Sequence, residues 1–352
     1  VIEKGITMKL IRTRTGKQPL LQISACPVMK SDHRRGKSDL VRADNLRRFF
    51  ASSLMSMLLA LAFCPMLAVA QDQPLAAGEG IFWRISQNGR HAGFLLGTIH
   101  SEDPRVVDFT EEFITGLKSC QTFAMEMVPD LPTLQKLTDY MHYPEQDQLR
   151  SLLGQERFDR AMLALGSYQV PDDWKNRMKV WAVMMTLSVP APKTGFFMDL
   201  SLSLRAAGSG LKVIGLETLE QQLQFLEQMP LDYQIKLLDH ALADYQRVAE
   251  IHEEMVQVYL QNSLTALAAL SEQQFAILDP EITRYFMELG IDARNRQMAA
   301  KALPELTENC VFIAVGALHL GGTGGLISLL RQGGYELTAL PLPFRQSKPP
   351  AP

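Results

Sequence analysis

Two apolar runs of strand length, Phe94-Leu95-Leu96 and Val311-Phe312-Ile313-Ala314-Val315, each lead straight into Gly-x-x-His. The first motif is Gly97-Thr98-Ile99-His100 and the second is Gly316-Ala317-Leu318-His319. Short, unbroken apolar runs suit strands buried on both faces, as in a parallel sheet covered by helices. Two further runs share this character, Thr122-Phe123-Ala124-Met125-Glu126-Met127 and Leu211-Lys212-Val213-Ile214-Gly215-Leu216. Between Phe94-Leu95-Leu96 and the run Thr122 to Met127 lies an amphipathic stretch, Val107 to Leu117, with Phe109, Phe113 and Leu117 at helical spacing. That is a β–α–β pattern, and it demands a parallel pair with a helical crossover. Ahead of it, Ile81 to Ser86 and Ala92 to Ile99 flank Asn88-Gly89, the signal of a hairpin. The expected fold is α/β, with a mainly parallel central sheet, an N-terminal hairpin and a large helical insertion.

Residues 130–207 read as several helices without a strand, and residues 231–302 read as helical again. Leu211 to Leu216 is expected as a third core strand. A helix follows it, with Leu219, Leu223 and Leu226 on one face. Gly325 to Arg331 is expected as a helix and Tyr335 to Leu340 as the last strand. One α/β domain over 71–345 accommodates all of this, with helical insertions at about 130–207 and 231–302 and a disordered Pro-rich tail at 346–352.

Four apolar strands thus end in a side chain that can bind a metal or move a proton: His100, Glu126, Glu217 and His319. In a shared parallel sheet their carboxyl ends lie along one edge and converge on one crevice. Two imidazoles with carboxylates suit a divalent metal with an open position for water. Each residue has a plainer reading. Glu217 suits the first turn of the next helix. His100 suits a cap on the turn into Ser101-Glu102-Asp103-Pro104. Glu126, flanked by Phe123, Ala124, Met125 and Met127, must be paired or functional. The other histidines, His91 in the hairpin, His142, His240 and His252, read as surface or packing residues. The stretch Gly316 to Gly325 mimics a phosphate loop, but Gly322 stands where that loop needs lysine.

The N-terminus reads as a targeting segment. Arg42, Arg47 and Arg48 precede the apolar run 51–70, which ends Ala68-Val69-Ala70. Residues 1–70 are expected to be a leader and signal peptide, cleaved after Ala70, which makes the protein periplasmic or secreted. An uncleaved run would anchor it in the membrane instead. The whole chain has 35 Lys and Arg against 38 Asp and Glu, and residues 1–70 hold 12 of the bases but 4 of the acids. The remainder is therefore acidic, which excludes a nucleic-acid partner. Of four cysteines, Cys120 and Cys310 lie beyond residue 70, each just before an expected strand. They form a disulfide if those strands are neighbours, or stay as two separate thiols.

Several of these pieces together resemble the TraB/GumN family, related to the TIKI proteins and more distantly to erythromycin esterases and the haem-binding ChaN proteins. The pieces are the Trp83 hairpin, FLLGTIHSEDPRV, Glu126, FFMDLSLSLRAAGSGLKVIGLETLEQQL, Arg294-Asn295-Arg296-Gln297-Met298-Ala299, and the final VFIAVGALHLGGTGGLISLLRQGGYELTAL. They fall in order between about residues 80 and 342. The resemblance implies an α/β core with a helical insertion and a metal-dependent hydrolase, since TIKI proteins are proteases that use Mn or Co. It implies that His100, Glu126 and His319 are catalytic and hold a divalent metal (Mn, Co or Zn). Gly97, Gly316, Asp199, Glu217, Arg294 and Asn295 match as supporting positions. The expected function is an exported metal-dependent hydrolase acting on a peptide or small molecule. The alternatives are a ChaN-like protein that binds haem or metal without catalysis, with histidine or Tyr143 as iron ligand, and a metal-free esterase in which His100 and Glu126 activate water.

Overall fold

The computed structural model describes residues 79–345 apart from Gln169. The leader, the export signal with its cleavage point, and the tail 346–352 lie outside the described residues. Six strands form one sheet: β1 (Phe82–Gln87), β2 (Arg90–Thr98), β3 (Thr122–Met125), β4 (Lys212–Gly215), β5 (Val311–Gly316) and β6 (Glu336–Leu340). Their order is β4-β3-β5-β2-β1-β6. β2, β5, β3 and β4 run parallel. β1 is antiparallel to both β2 and β6. The parallel sheet, the hairpin and the helical insertion expected from the sequence are all present.

Local chemistry explains the hairpin. Gln87 pairs with Arg90, so Asn88 and Gly89 alone make the turn. Both have positive φ, 52° and 75°, the twist that matches the flanking strands. The first crossover helix, α1 (Glu111–Ser119), starts later than its apolar spacing suggests. Thr110 accepts the Phe113 N–H at 3.2 Å and sets the start. Phe109 then lies before the cap and stacks on Phe113.

The strand interiors alternate between two cores. Phe82, Phe94, Phe123 and Phe312 face one, while Trp83, Leu95, Ala124 and Ile313 face the other. Helices α2 (Met198–Gly208) and α4 (Val248–Tyr259) cover the phenylalanine face, and α5 (Ala293–Glu308) and α6 (Leu326–Gln332) cover the other. Much of 231–302 therefore backs the sheet directly. A third core is helical and gathers Leu137, Trp181, Leu226 and Leu238. It includes one face of α3 (Leu219–Glu227), where Leu219, Leu223 and Leu226 are buried as spaced. The run Leu211 to Leu216 departs from expectation. It is not a core strand, because β4 pairs only with β3, lies at the sheet edge, and exposes Lys212. Among the described residues no helix is long and apolar enough to cross a membrane.

Adjacency of β3 and β5 also decides the cysteines. Thr122 pairs with Val311, which brings Cys120 and Cys310 together at the amino ends of their strands. They are joined as a disulfide, with Cα atoms 4.6 Å apart.

Candidate active site

The two Gly-x-x-His motifs lie on adjacent parallel strands, with Thr98 beside Gly316. β3 sits on the far side of β5 and β4 beyond it. The carboxyl ends of all four strands therefore share one edge of the sheet. Past β3 and β4 the backbone keeps pairing, since Glu217 N–H donates to the Glu126 carbonyl at 2.7 Å. This fixes the two glutamates side by side.

Six of the expected residues meet in two hydrogen-bonded groups that face each other. Glu126 Oε1 accepts the Gly316 N–H at 2.7 Å. Its Oε2 accepts from Arg294 Nη2 at 2.7 Å and from Gln222 Nε2 at 3.1 Å. Arg294 also forks onto Glu217, with Nε to Oε1 at 2.9 Å and Nη2 to Oε2 at 2.5 Å. Asn295, the next residue of α5, donates from Nδ2 to the Gly324 carbonyl at 3.0 Å. Its Oδ1 lies 2.6 Å from His319 Nδ1. That oxygen can only accept, so Nδ1 carries the proton and Nε2 carries the lone pair. His319 Nε2 in turn faces Glu126 Oε1 at 3.8 Å.

The electrostatics follow from burial and from one guanidinium serving two carboxylates. Burial works to raise the Glu126 carboxyl, but Arg294, His319 and the Gly316 N–H outweigh it and hold it at about 2. Burial pushes His319 down to about 4, with Glu126 opposing and Arg294 adding. His319 is therefore a neutral imidazole at neutral pH. Glu217 is raised, first by burial and then by the Glu126 charge, against the pull of Arg294. Arg294 stays charged, because the two glutamates outweigh its burial.

His100 stands in a second group. Its ring stacks on Phe197 with centroids 3.7 Å apart. Its Nδ1 lies 3.7 Å from Asp199 Oδ2, and Thr98 Oγ1 donates to Asp199 Oδ1 at 2.5 Å. Asp199 opens α2, and Met198 N–H anchors that helix to the Ser101 carbonyl at 3.0 Å. Both ring nitrogens of His100 are buried without a hydrogen bond. Among the described residues its contacts run to Asp199 and Phe197 rather than to His319 or Glu126.

His319 and Glu126 present two ligand atoms of the kind a divalent cation takes. A lone pair on His319 Nε2 and a carboxylate oxygen of Glu126 face each other as two acceptors, with no donor between them. Two carboxylates share one guanidinium, which leaves surplus negative charge in a buried place. His100 Nε2, buried and without a hydrogen bond, is a further nitrogen of the same kind. Asn295 is the outer partner that a ligating imidazole needs to hold its tautomer.

The motif glycines have different jobs. A Cβ at Gly316 would come within 3.2 Å of Glu126 Oε1. A Cβ at Gly97 would meet Ala317 Cα at 2.9 Å. Gly97 therefore lets one motif pack on the other, rather than clearing the crevice.

Sequence reasoning missed three contributors. Gln222, on Glu126, falls on the apolar face of α3 beside Leu223 and Leu226, and a polar residue in that stripe was the available signal. His252, read as packing, lies 3.0 Å from Ser101 Oγ, next to His100, and burial and His100 push it down to about 4. Phe197 carried no signal. Tyr143 sits in the helical insertion, where its backbone pairs with Arg177.

The model of the TraB/PrgY/gumN family matches residues 81–339. Among curated proteins the chain is similar to metalloprotease TIKI1 of Xenopus tropicalis, with 23% identity over 317 residues, covering 75% of this chain and 62% of that protein. It is similar to metalloprotease TIKI2 of the same species at 24%, covering 73% and 60%. It is also 24% identical to YbaP of Escherichia coli (strain K12) over 257 residues, 70% of this chain and 90% of that one. The chain thus spans about three fifths of the TIKI relatives' length. No solved structure matches it significantly.

Proposed function

The chain belongs to the TraB/PrgY/gumN family, and from that premise we propose that it is a metal-dependent hydrolase acting on peptides. The observation that carries the reading is the pair His319 Nε2 and Glu126 Oε1, two acceptors 3.8 Å apart. The TIKI relatives, named metalloproteases, support it. His319 and Glu126 would hold the divalent metal, and His100, beside Asp199 at the end of the neighbouring strand, would be the third ligand. When bound, such a metal lowers the pKa of a coordinated water toward about 7 and so supplies hydroxide as nucleophile.

The other residues orient and hold charge. Asn295 keeps the His319 proton on Nδ1 and thereby keeps Nε2 available. Arg294 and Gln222 fix Glu126. A carboxylate held at about 2 is a poor proton acceptor near neutral pH, so Glu126 serves as ligand and not as general base. Asp199, held by Thr98, lies beside His100 Nδ1 and supports the imidazole from behind.

We also propose that the protein is exported. The basic and apolar character of 42–70 supports this, as does the Cys120–Cys310 bond, which suits an oxidising compartment.

The test is metal content and peptidase activity of the purified protein and of His100→Ala and His319→Ala. Both variants are expected to lose bound metal and activity, and Asn295→Ala to weaken metal binding by roughly ten- to a hundredfold. Unchanged metal content in both histidine variants would overturn the reading.

A further inference from the structure

At the opposite end of the sheet from the strand-end crevice, three metal-type side chains from three adjacent strands come together. Their ligand atoms (His91 Nε2, Cys120 Sγ and Cys310 Sγ) all lie within 4.8 Å of one another. Among the described residues this is where three such atoms close that tightly. His91 is on β2, Cys310 directly precedes β5 and Cys120 precedes β3, so the order β3-β5-β2 sets their spacing. His91 Nε2 is 3.6 Å from Cys310 Sγ.

We propose that His91, Cys120 and Cys310 form a redox-gated site for a thiophilic divalent cation such as zinc, closed while the two sulfurs are bonded and opened by reduction. The balance is simple. A dithiol reduces the Cys120–Cys310 bond, giving two cysteine thiols and the cyclic disulfide of the reductant. The two thiols then release two protons to the solvent as their sulfurs bind the cation. The neutral His91 imidazole adds the third bond. Two thiolates neutralise the cation, and a water can take the fourth tetrahedral position. Soft thiolate ligands favour zinc or cobalt over calcium or magnesium.

Two features support it. First, the strand framework, not the sulfur bond, fixes the positions. Gln121 and Thr122 N–H groups both donate to the Cys310 carbonyl, and Cys310 N–H donates to Gln121 Oε1 at 3.1 Å. Second, His91 is exposed and Cys310 half-buried, so a cation and a reductant can reach the site.

The experiment uses the full chain with Cys26→Ser and Cys64→Ser, so that no other thiol is present. The protein is reduced with a dithiol, desalted anaerobically and titrated with Co²⁺. The readout is the thiolate-to-cobalt charge-transfer band in the near ultraviolet, which imidazole and carboxylate ligands alone do not give. The reduced protein is expected to develop the band at one cobalt per chain, and the oxidised protein none. His91→Ala is expected to weaken binding by at least the roughly tenfold that losing even an outer partner costs. The band should persist in the His100→Ala/His319→Ala background, so its loss and the loss of active-site metal are separate results. No band in reduced protein of native circular dichroism would overturn the proposal. So would equal affinity in His91→Ala, or unfolding on reduction, because the site needs three strands in place.

Discussion

Arg294 answers two buried carboxylates at once, and its removal leaves them facing each other without a counter-charge. Arg294→Met is expected to destabilise the fold by about 3–5 kcal/mol, as when one partner of a buried pair is lost. Chemical denaturation measures this. Arg294→Lys should not rescue it, because an ammonium cannot fork onto Glu217 while reaching Glu126. Adding Glu217→Gln to Arg294→Met should recover part of the loss, and no recovery would mean that repulsion between the glutamates is not the cause. At this scale the sequence was partly readable. Glu126 announced itself as a carboxylate inside an apolar strand. Arg294, on a helix with charged neighbours, enters the sequence reading only through the family resemblance. Its burial depends on where α5 lands on the sheet, which local spacing does not encode.

At the scale of elements, the two motif glycines separate packing from chemistry. Gly97→Ala would push a methyl into the Ala317 backbone at 2.9 Å, and backbone cannot step aside. The expected cost is about 1–3 kcal/mol, the usual range for overpacking, read as a lower thermal midpoint. Gly316→Ala meets the Glu126 carboxylate at 3.2 Å instead. It should leave the midpoint nearly unchanged and weaken metal binding, because Glu126 must move. Equal thermal midpoints in the two variants would contradict this division. The strands themselves were legible, because runs buried on both faces lose their polar alternation. The edge placement of β4 was not, since an edge strand in a short apolar run looks like a central one until its neighbours are known.

For the whole molecule, acid is expected to undo the fold through groups whose signs agree. Glu126 is held at about 2 against an ordinary 4.5, so its contribution is present above pH 4.5 and is lost as the pH falls toward 2. His319 and His252 are both pushed by burial to about 4 against an ordinary 6.5. Unfolded chains take up those protons first, so stability erodes between pH 6.5 and 4. The urea midpoint of the metal-free protein should fall steadily below pH 6.5, and His319→Gln should flatten the upper part of that fall. Equal midpoints at pH 7 and pH 4.5 would refute the assignment. The Cys120–Cys310 bond spans 190 residues, and its reduction is expected to cost about 2–5 kcal/mol with the fold retained, measured as a midpoint shift. From the sequence alone came the class of fold, the hairpin, the helical insertion and the four strand-end side chains, because hydrophobic periodicity and turn chemistry are local. Only the tertiary structure decided the strand order. That order put the two Gly-x-x-His motifs on neighbouring strands, joined the cysteines, and split the expected site into an Arg294-centred network and a separate His100–Asp199 pair. Which side chains meet across hundreds of residues depends on how sheet and helices pack.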